Sequence, residues 1–161
     1  MKVLQNSKGF TLVELMIVIS IVGALLLVGS SLTSSWVDGS KVNDATSALK
    51  NAVSQARVNA LRNSNNKLLS EPTVSVCIED GSIKIISVGT NATLVCESVT
   101  SSLIQDISIP KSISITQNGS DVKCITFNPA GLVLSFPGCT NNTNDKIIIE
   151  RNGENSEFNI I

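Results

Sequence analysis

The sequence predicts an α+β protein: a long N-terminal α-helix, with a transmembrane-type apolar half and an amphipathic half, packed on a head of mostly antiparallel β-sheet. Three observations predict it. A continuous apolar run, Phe10 to Leu32, is followed by a segment from about Trp36 to Arg62 in which small apolar residues recur every three or four positions. Beyond Pro72 the pattern switches to short runs of β-branched residues separated by turn residues. Four cysteines, Cys77, Cys96, Cys124 and Cys139, fall only in that second half.

The first nine residues, MKVLQNSKG, are polar and positively charged through Lys2 and Lys8. Phe10 to Leu32 then supplies 23 residues, or about 35 Å of helix, enough to span a bilayer. A secretory signal peptide has a shorter apolar core that ends in a small-residue cleavage site. Here the charged segment abuts a full-length span that leads directly into more helix-forming sequence. Glu14 is the anomaly, because an acid inside an apolar segment costs about 2.5–3.5 kcal/mol on insertion scales. A cut between Gly9 and Phe10 would place a new α-amino group four residues before Glu14 and give that carboxylate a cationic partner, on its own chain or on a neighbour.

From Trp36 to Arg62 the apolar residues narrow to one stripe, Val42, Ala45, Leu49, Ala52, Val53, Ala56 and Ala60, while Lys50, Arg57 and Arg62 fall off it. That is an amphipathic helix with a small-residue face. Joined to the span it would run about 80 Å if unbroken, with Gly23 and Gly29-Ser30-Ser31 as its weak points. Asn63 to Pro72 reads as a loop. Strand-like runs follow at 73–79, 82–88, 92–96, 112–116, 122–127 and 131–135. The last two, 146–151 and 154–161, flank Asn152-Gly153, a strong hairpin signal.

The composition excludes several functions. With no histidine in 161 residues, the commonest general base and the commonest metal ligand are missing. Ser and Thr are plentiful, but nothing stands beside them to activate a nucleophile. The adjacent acids Glu79-Asp80 precede Gly81 and read as solvated turn charges. No cofactor, metal or catalytic residue is assigned. The even cysteine count beyond an apolar span, with no CxxC, reads as two disulfides in an oxidising compartment rather than free thiols or a four-thiolate metal site. Sequence-local pairing joins Cys77 to Cys96 and Cys124 to Cys139, among three connectivities open to four cysteines. Lys2 and Lys8 precede the span without an acid, so the positive-inside rule places everything after Leu32 across the membrane.

Lys8-Gly9-Phe10-Thr11-Leu12-Val13-Glu14-Leu15 resembles the leader-cleavage motif of type IV prepilins and type II secretion pseudopilins. The resemblance implies cleavage after Gly9 by a prepilin peptidase, N-methylation of Phe10 and control of filament entry by Glu14. It divides the chain into a leader (1–9), a transmembrane and filament-core helix (10–35) and a periplasmic head that includes the amphipathic half-helix (36–161), the pilin fold. The pilin family often carries a helix-bending proline near Gly29, which this chain lacks. Ala56 to Arg62, Val74-Ser75-Val76-Cys77 and Phe127-Asn128-Pro129-Ala130-Gly131 are similar to blocks of the GspH/FimT (FimU-like) class of minor pilins and pseudopilins. The tryptophan-glycine segment usual between those blocks is missing.

The resemblance implies an inner-membrane subunit that is assembled with other pilins or pseudopilins. It is expected to be a minor pilin that promotes assembly of a type IV pilus. The alternatives are the pseudopilin of a type II secretion system and a DNA-binding minor pilin for uptake of external DNA. DNA binding needs cations that meet phosphate. From Asn63 onward six Lys and Arg face ten Asp and Glu, and the segment Glu150 to Glu157, where DNA-binding relatives place arginines, is acidic. DNA is therefore not an expected partner, unless Lys84, Lys111 and Lys123 converge in three dimensions.

Overall fold

A computed structural model of the chain describes residues 9–89, 96, 102–137, 139 and 146–160, with the side chains of 28–32 outside the description. It divides into two compact units, residues 1–37 and 38–161. The helix α1 (Leu12–Arg62) belongs to both, and eight strands belong to the second. These are β1 (Val74–Glu79), β2 (Ser82–Ser87), β3 (Ser102–Ser108), β4 (Ser114–Gln117), β5 (Ser120–Asp121), β6 (Cys124–Phe127), β7 (Ile147–Arg151) and β8 (Glu154–Phe158). They form two antiparallel sheets in the orders β3-β2-β1-β6 and β5-β4-β7-β8. The architecture is an α-helix packed on antiparallel sheets.

The core follows from the predicted stripe. Val42, Ala45, Leu49, Ala52, Val53, Ala56 and Ala60 are all buried, together with Val74, Val76, Ile83, Ile85, Ile125 and Phe127 of the first sheet and Ile115, Ile147 and Ile149 of the second. Small residues on the helix let the sheets approach closely. Thr46 is the polar member of this face, and its hydroxyl donates to the Val42 carbonyl at 2.7 Å, which removes the cost of burying it.

Strands β1 and β6 are buried on both faces. Val74, Val76, Ile125 and Phe127 point to the helix side, whereas Cys77 and Cys124 point away into a second apolar cluster with Ile86, Val88 and Cys139. A strand covered on both sides has no need to alternate apolar with polar.

The closing hairpin lies along the helix. Asn152 and Gly153 have φ of 51° and 89°, as a tight primed turn requires, and the turn is anchored to Asp38. Arg151 Nε donates to Asp38 Oδ1 and Asn152 Nδ2 to Asp38 Oδ2, each at 2.8 Å. Farther along, Lys50 lies over the Phe158 ring and Arg57 Nη2 donates to the Ile160 carbonyl at 2.5 Å.

Three sequence readings need comment. The run 131–135 is not a strand: only Val133 bridges to Phe127. The Asn128 side chain accepts from the amides of Ala130 and Leu132, and Gly131 turns at φ 73°, so the backbone is committed to a turn. Strand β3 is not anticipated by the pattern, because most of its side chains are exposed at a sheet edge. The run 92–96 lies, apart from Cys96, outside the described residues.

Candidate functional site

At the N-terminus, Gly9 and Phe10 precede the helix and are exposed, Phe10 by 84%. Thr11 caps the helix: its Oγ1 accepts from the Glu14 amide at 3.3 Å, and its carbonyl accepts from Leu15. Thr11 and Glu14 thus stand at the N-cap and third helical positions, the Thr-x-x-Glu spacing of a capping box of which only the Thr11 bond is made. This signal is readable in the sequence but was not part of the expectation for Glu14. It gives the acid a local use, since negative charge is favourable at a helix N-terminus. Among the described residues the Glu14 carboxylate itself has no hydrogen-bond or ionic partner.

After Glu14 the helix is apolar on every side. Leu15, Met16, Ile17, Val18, Ile19, Ile21, Val22, Leu25, Leu26 and Leu27 are each about half exposed or more. Ser20, among them, turns its hydroxyl back to the Met16 carbonyl at 2.8 Å, which leaves no unpaired donor to penalise an apolar environment. The described side chains from Leu12 to Leu27 cover 16 residues, about 24 Å of helix, and among the described residues no helix is long and apolar enough to cross a membrane. The apolar run of the sequence itself continues to Leu32.

In the head, disulfides join Cys77 to Cys96 and Cys124 to Cys139, with Cα–Cα separations of 5.7 and 4.6 Å. Both sit in the apolar cluster on the sheet face away from the helix.

The three lysines named above as a candidate basic patch, Lys84, Lys111 and Lys123, each keep acidic or backbone company. Lys84 Nζ is 2.5 Å from Glu79 and faces Asp106 across the β2–β3 ladder. The hydrogen bond that Lys84 donates to Glu79 raises the Lys84 pKa above its ordinary value. Lys123 lines an open groove of about 510 Å³ together with Glu79, Asp80 and Asp121. Lys111 lays its side chain beside Gly81, and its carbonyl accepts from Arg151. Among the described residues no group of three or more His, Cys, Asp or Glu is arranged to hold a metal ion.

Asp38 is the most elaborately held acid described. The hydrogen bonds from Asn152, then from Arg151, hold its carboxyl below the usual carboxylate range. Lys41 stands 4.0 Å from the same carboxylate.

No curated protein and no solved structure matches the chain. Residues 4–30 match the family model described as the prokaryotic N-terminal methylation motif, and this match, on a chain whose helix packs on antiparallel sheets, supports a type IV pilin-like protein.

Proposed function

We propose that the chain is a minor pilin that enters a type IV pilus and promotes its assembly. The observation that carries this reading is the coincidence of the methylation motif at residues 4–30 with a helix that is apolar on all sides and exposed. A helix apolar all round requires lipid or other protein around it. In this reading residues 1–9 are a leader removed between Gly9 and Phe10, and Phe10 is then N-methylated. Residues 10–35 hold the subunit in the inner membrane and afterwards in the filament core. Residues 36–161 form the periplasmic head, braced by its disulfides. Glu14 pairs with a subunit's N-terminal amine during insertion, so that assembly waits for cleavage. The partners are the prepilin peptidase and neighbouring pilins, and the activity is structural rather than enzymatic.

The test is a count of surface pili by electron microscopy in a deletion strain, with and without retraction blocked. Loss of pili that is reversed when retraction is blocked is the expected result. Unchanged pili would overturn the assembly role and leave the secretion pseudopilin or the DNA-uptake pilin, which the head's affinity for DNA would decide between.

A further inference from the structure

Cys77 and Cys124 are register partners across β1 and β6. The Ile78 amide donates to the Lys123 carbonyl at 2.9 Å, which makes the two cysteines a non-hydrogen-bonded antiparallel pair. In such pairs Cα atoms approach to about 4.5 Å and side chains are closest, within the range of about 4.4–6.8 Å that a disulfide spans. Yet each is bonded elsewhere, Cys77 to Cys96 and Cys124 to Cys139. All four cysteines share one cluster with Ile86, Val88 and Phe136. Two disulfides therefore meet at a backbone pairing that suits a third.

We propose that these four cysteines are one thiol–disulfide exchange site, whose substrate is an external thiol and whose product is a Cys77–Cys124 cross-strand bond. The entering thiolate attacks Cys96 Sγ, the one sulfur of the four on a residue only partly buried. A mixed disulfide forms on Cys96, the Cys77–Cys96 bond breaks, and Cys77 leaves as a thiolate. That thiolate attacks Cys124 Sγ, the Cys77–Cys124 bond forms, and Cys139 leaves and takes up a proton. A second external thiol attacks the mixed disulfide and releases Cys96 as a thiol. In sum, two external thiols become one disulfide, while two protein disulfides become one disulfide and two thiols. The two protons of the external thiols end on Cys96 and Cys139.

A buried hydroxyl pair favours that direction. Thr126, fully buried, donates from Oγ1 to Cys139 Sγ at 3.3 Å, and Ser75 Oγ lies 3.3 Å from Thr126 Oγ1. Ser75 and Thr126 are the register pair two residues along from Cys77 and Cys124, on the same sheet face. A donor aimed at the leaving sulfur stabilises its thiolate, and a leaving thiol of lower pKa departs faster. Thr126 is thus a positioning residue that selects Cys139 for expulsion. The exchange would untie the loops that end at Cys96 and Cys139 and keep β1 and β6 covalently joined.

The test uses the full chain in detergent, treated with graded reduced glutathione, quenched in acid, alkylated and digested with chymotrypsin, which cuts after Phe127 and Phe136. Single-disulfide molecules are expected to carry Cys77–Cys124, with Cys96 and Cys139 alkylated. Single-disulfide molecules that all hold one or other of the original bonds, Cys77–Cys96 or Cys124–Cys139, would overturn the proposal. The double variant Cys96→Ser/Cys139→Ser, treated with oxidised glutathione, is expected to close Cys77–Cys124, and two persistently free thiols would argue against it. In Thr126→Val the Cys77–Cys124 bond is expected to appear about tenfold more slowly, while the first attack on Cys96 keeps its rate. Equal acceleration of both steps would make Thr126 a packing residue only.

Discussion

Two stretches of α1 put apolar residues to opposite use. Between Leu12 and Leu27 the large side chains are about half exposed or more, whereas the stripe residues Val42, Ala45, Leu49, Ala52, Val53, Ala56 and Ala60 are at most 5% exposed. The first stretch is apolar around the whole axis, the second along one line of it. In the second stretch the buried apolar residues keep to one stripe, and Lys50, Arg57, Val58 and Arg62 lie off it. A stripe can be covered by the chain's own sheets. A helix apolar all round cannot be covered by one sheet, so the first stretch depends on surroundings that the second does not need.

The sharpest way to break that comparison is at Glu14. Glu14→Gln keeps a residue that suits the third position of the capping box and removes the charge. The variant is expected to accumulate in the membrane while its amount in sheared filaments falls by about tenfold or more, as loss of one partner of a desolvated ion pair implies. Thr11→Ala, which removes the cap at about 1 kcal/mol of local helix stability, is expected to leave incorporation near wild type. The reverse order of severity would make the cap, not the charge, the determinant.

In the head, Leu49→Ala is expected to cost about 2–5 kcal/mol in urea unfolding, as a fully buried leucine does. Leu25→Ala, in the exposed stretch, should change that transition by less than about 0.5 kcal/mol. Equal effects would mean that the exposed stretch also stabilises the head. Gly131→Ala should cost about 2 kcal/mol, because φ is 73° and the new Cβ would stand 3.0 Å from Arg57 Cγ.

The smallest effect is at Asp38, and pH reveals it. Its folded pKa lies below 3.8, so the unfolded chain binds the proton first as pH falls. Its stabilising contribution is therefore fully present above the unfolded value and is lost as pH drops through the folded one. The stability difference between wild type and Asp38→Asn, read from urea midpoints, should shrink as pH is lowered from about 5 to about 2. A constant difference would assign the effect to hydrogen-bond geometry alone.

What could be read from the sequence was what depends on neighbours along the chain. The stripe on α1 is a local periodicity, and the β7–β8 hairpin rests on Asn152-Gly153, whose backbone angles suit that turn. Strand β3 escaped because Leu103 and Ile104 are adjacent and both exposed, so no burial pattern marks it. The run 131–135 has strand-like composition, yet a single side chain, Asn128, turns it by hydrogen bonds that composition does not display. At the candidate site the Gly9-Phe10 junction and Glu14 stand out at once, as does the Thr11 cap to a reader who counts three residues back. The apposition of Cys77 with Cys124, and of Thr126 with Cys139, was out of reach. Both depend on β1 pairing with β6, a contact between segments far apart in the chain.

The grip of the last hairpin on the first helix has a kinetic consequence. Asp38 meets Arg151 across 113 positions, and Arg57 meets the Ile160 carbonyl across 103. Contacts of such sequence separation form late, because a long loop must close before they are made. During synthesis the amphipathic half of α1 emerges before all the strands and must wait for nearly the whole remaining chain before its cover is complete. A molecule interrupted before β7 would lack the share of that cover given by Ile147 and Ile149, so the hairpin works as a completion signal written into the topology.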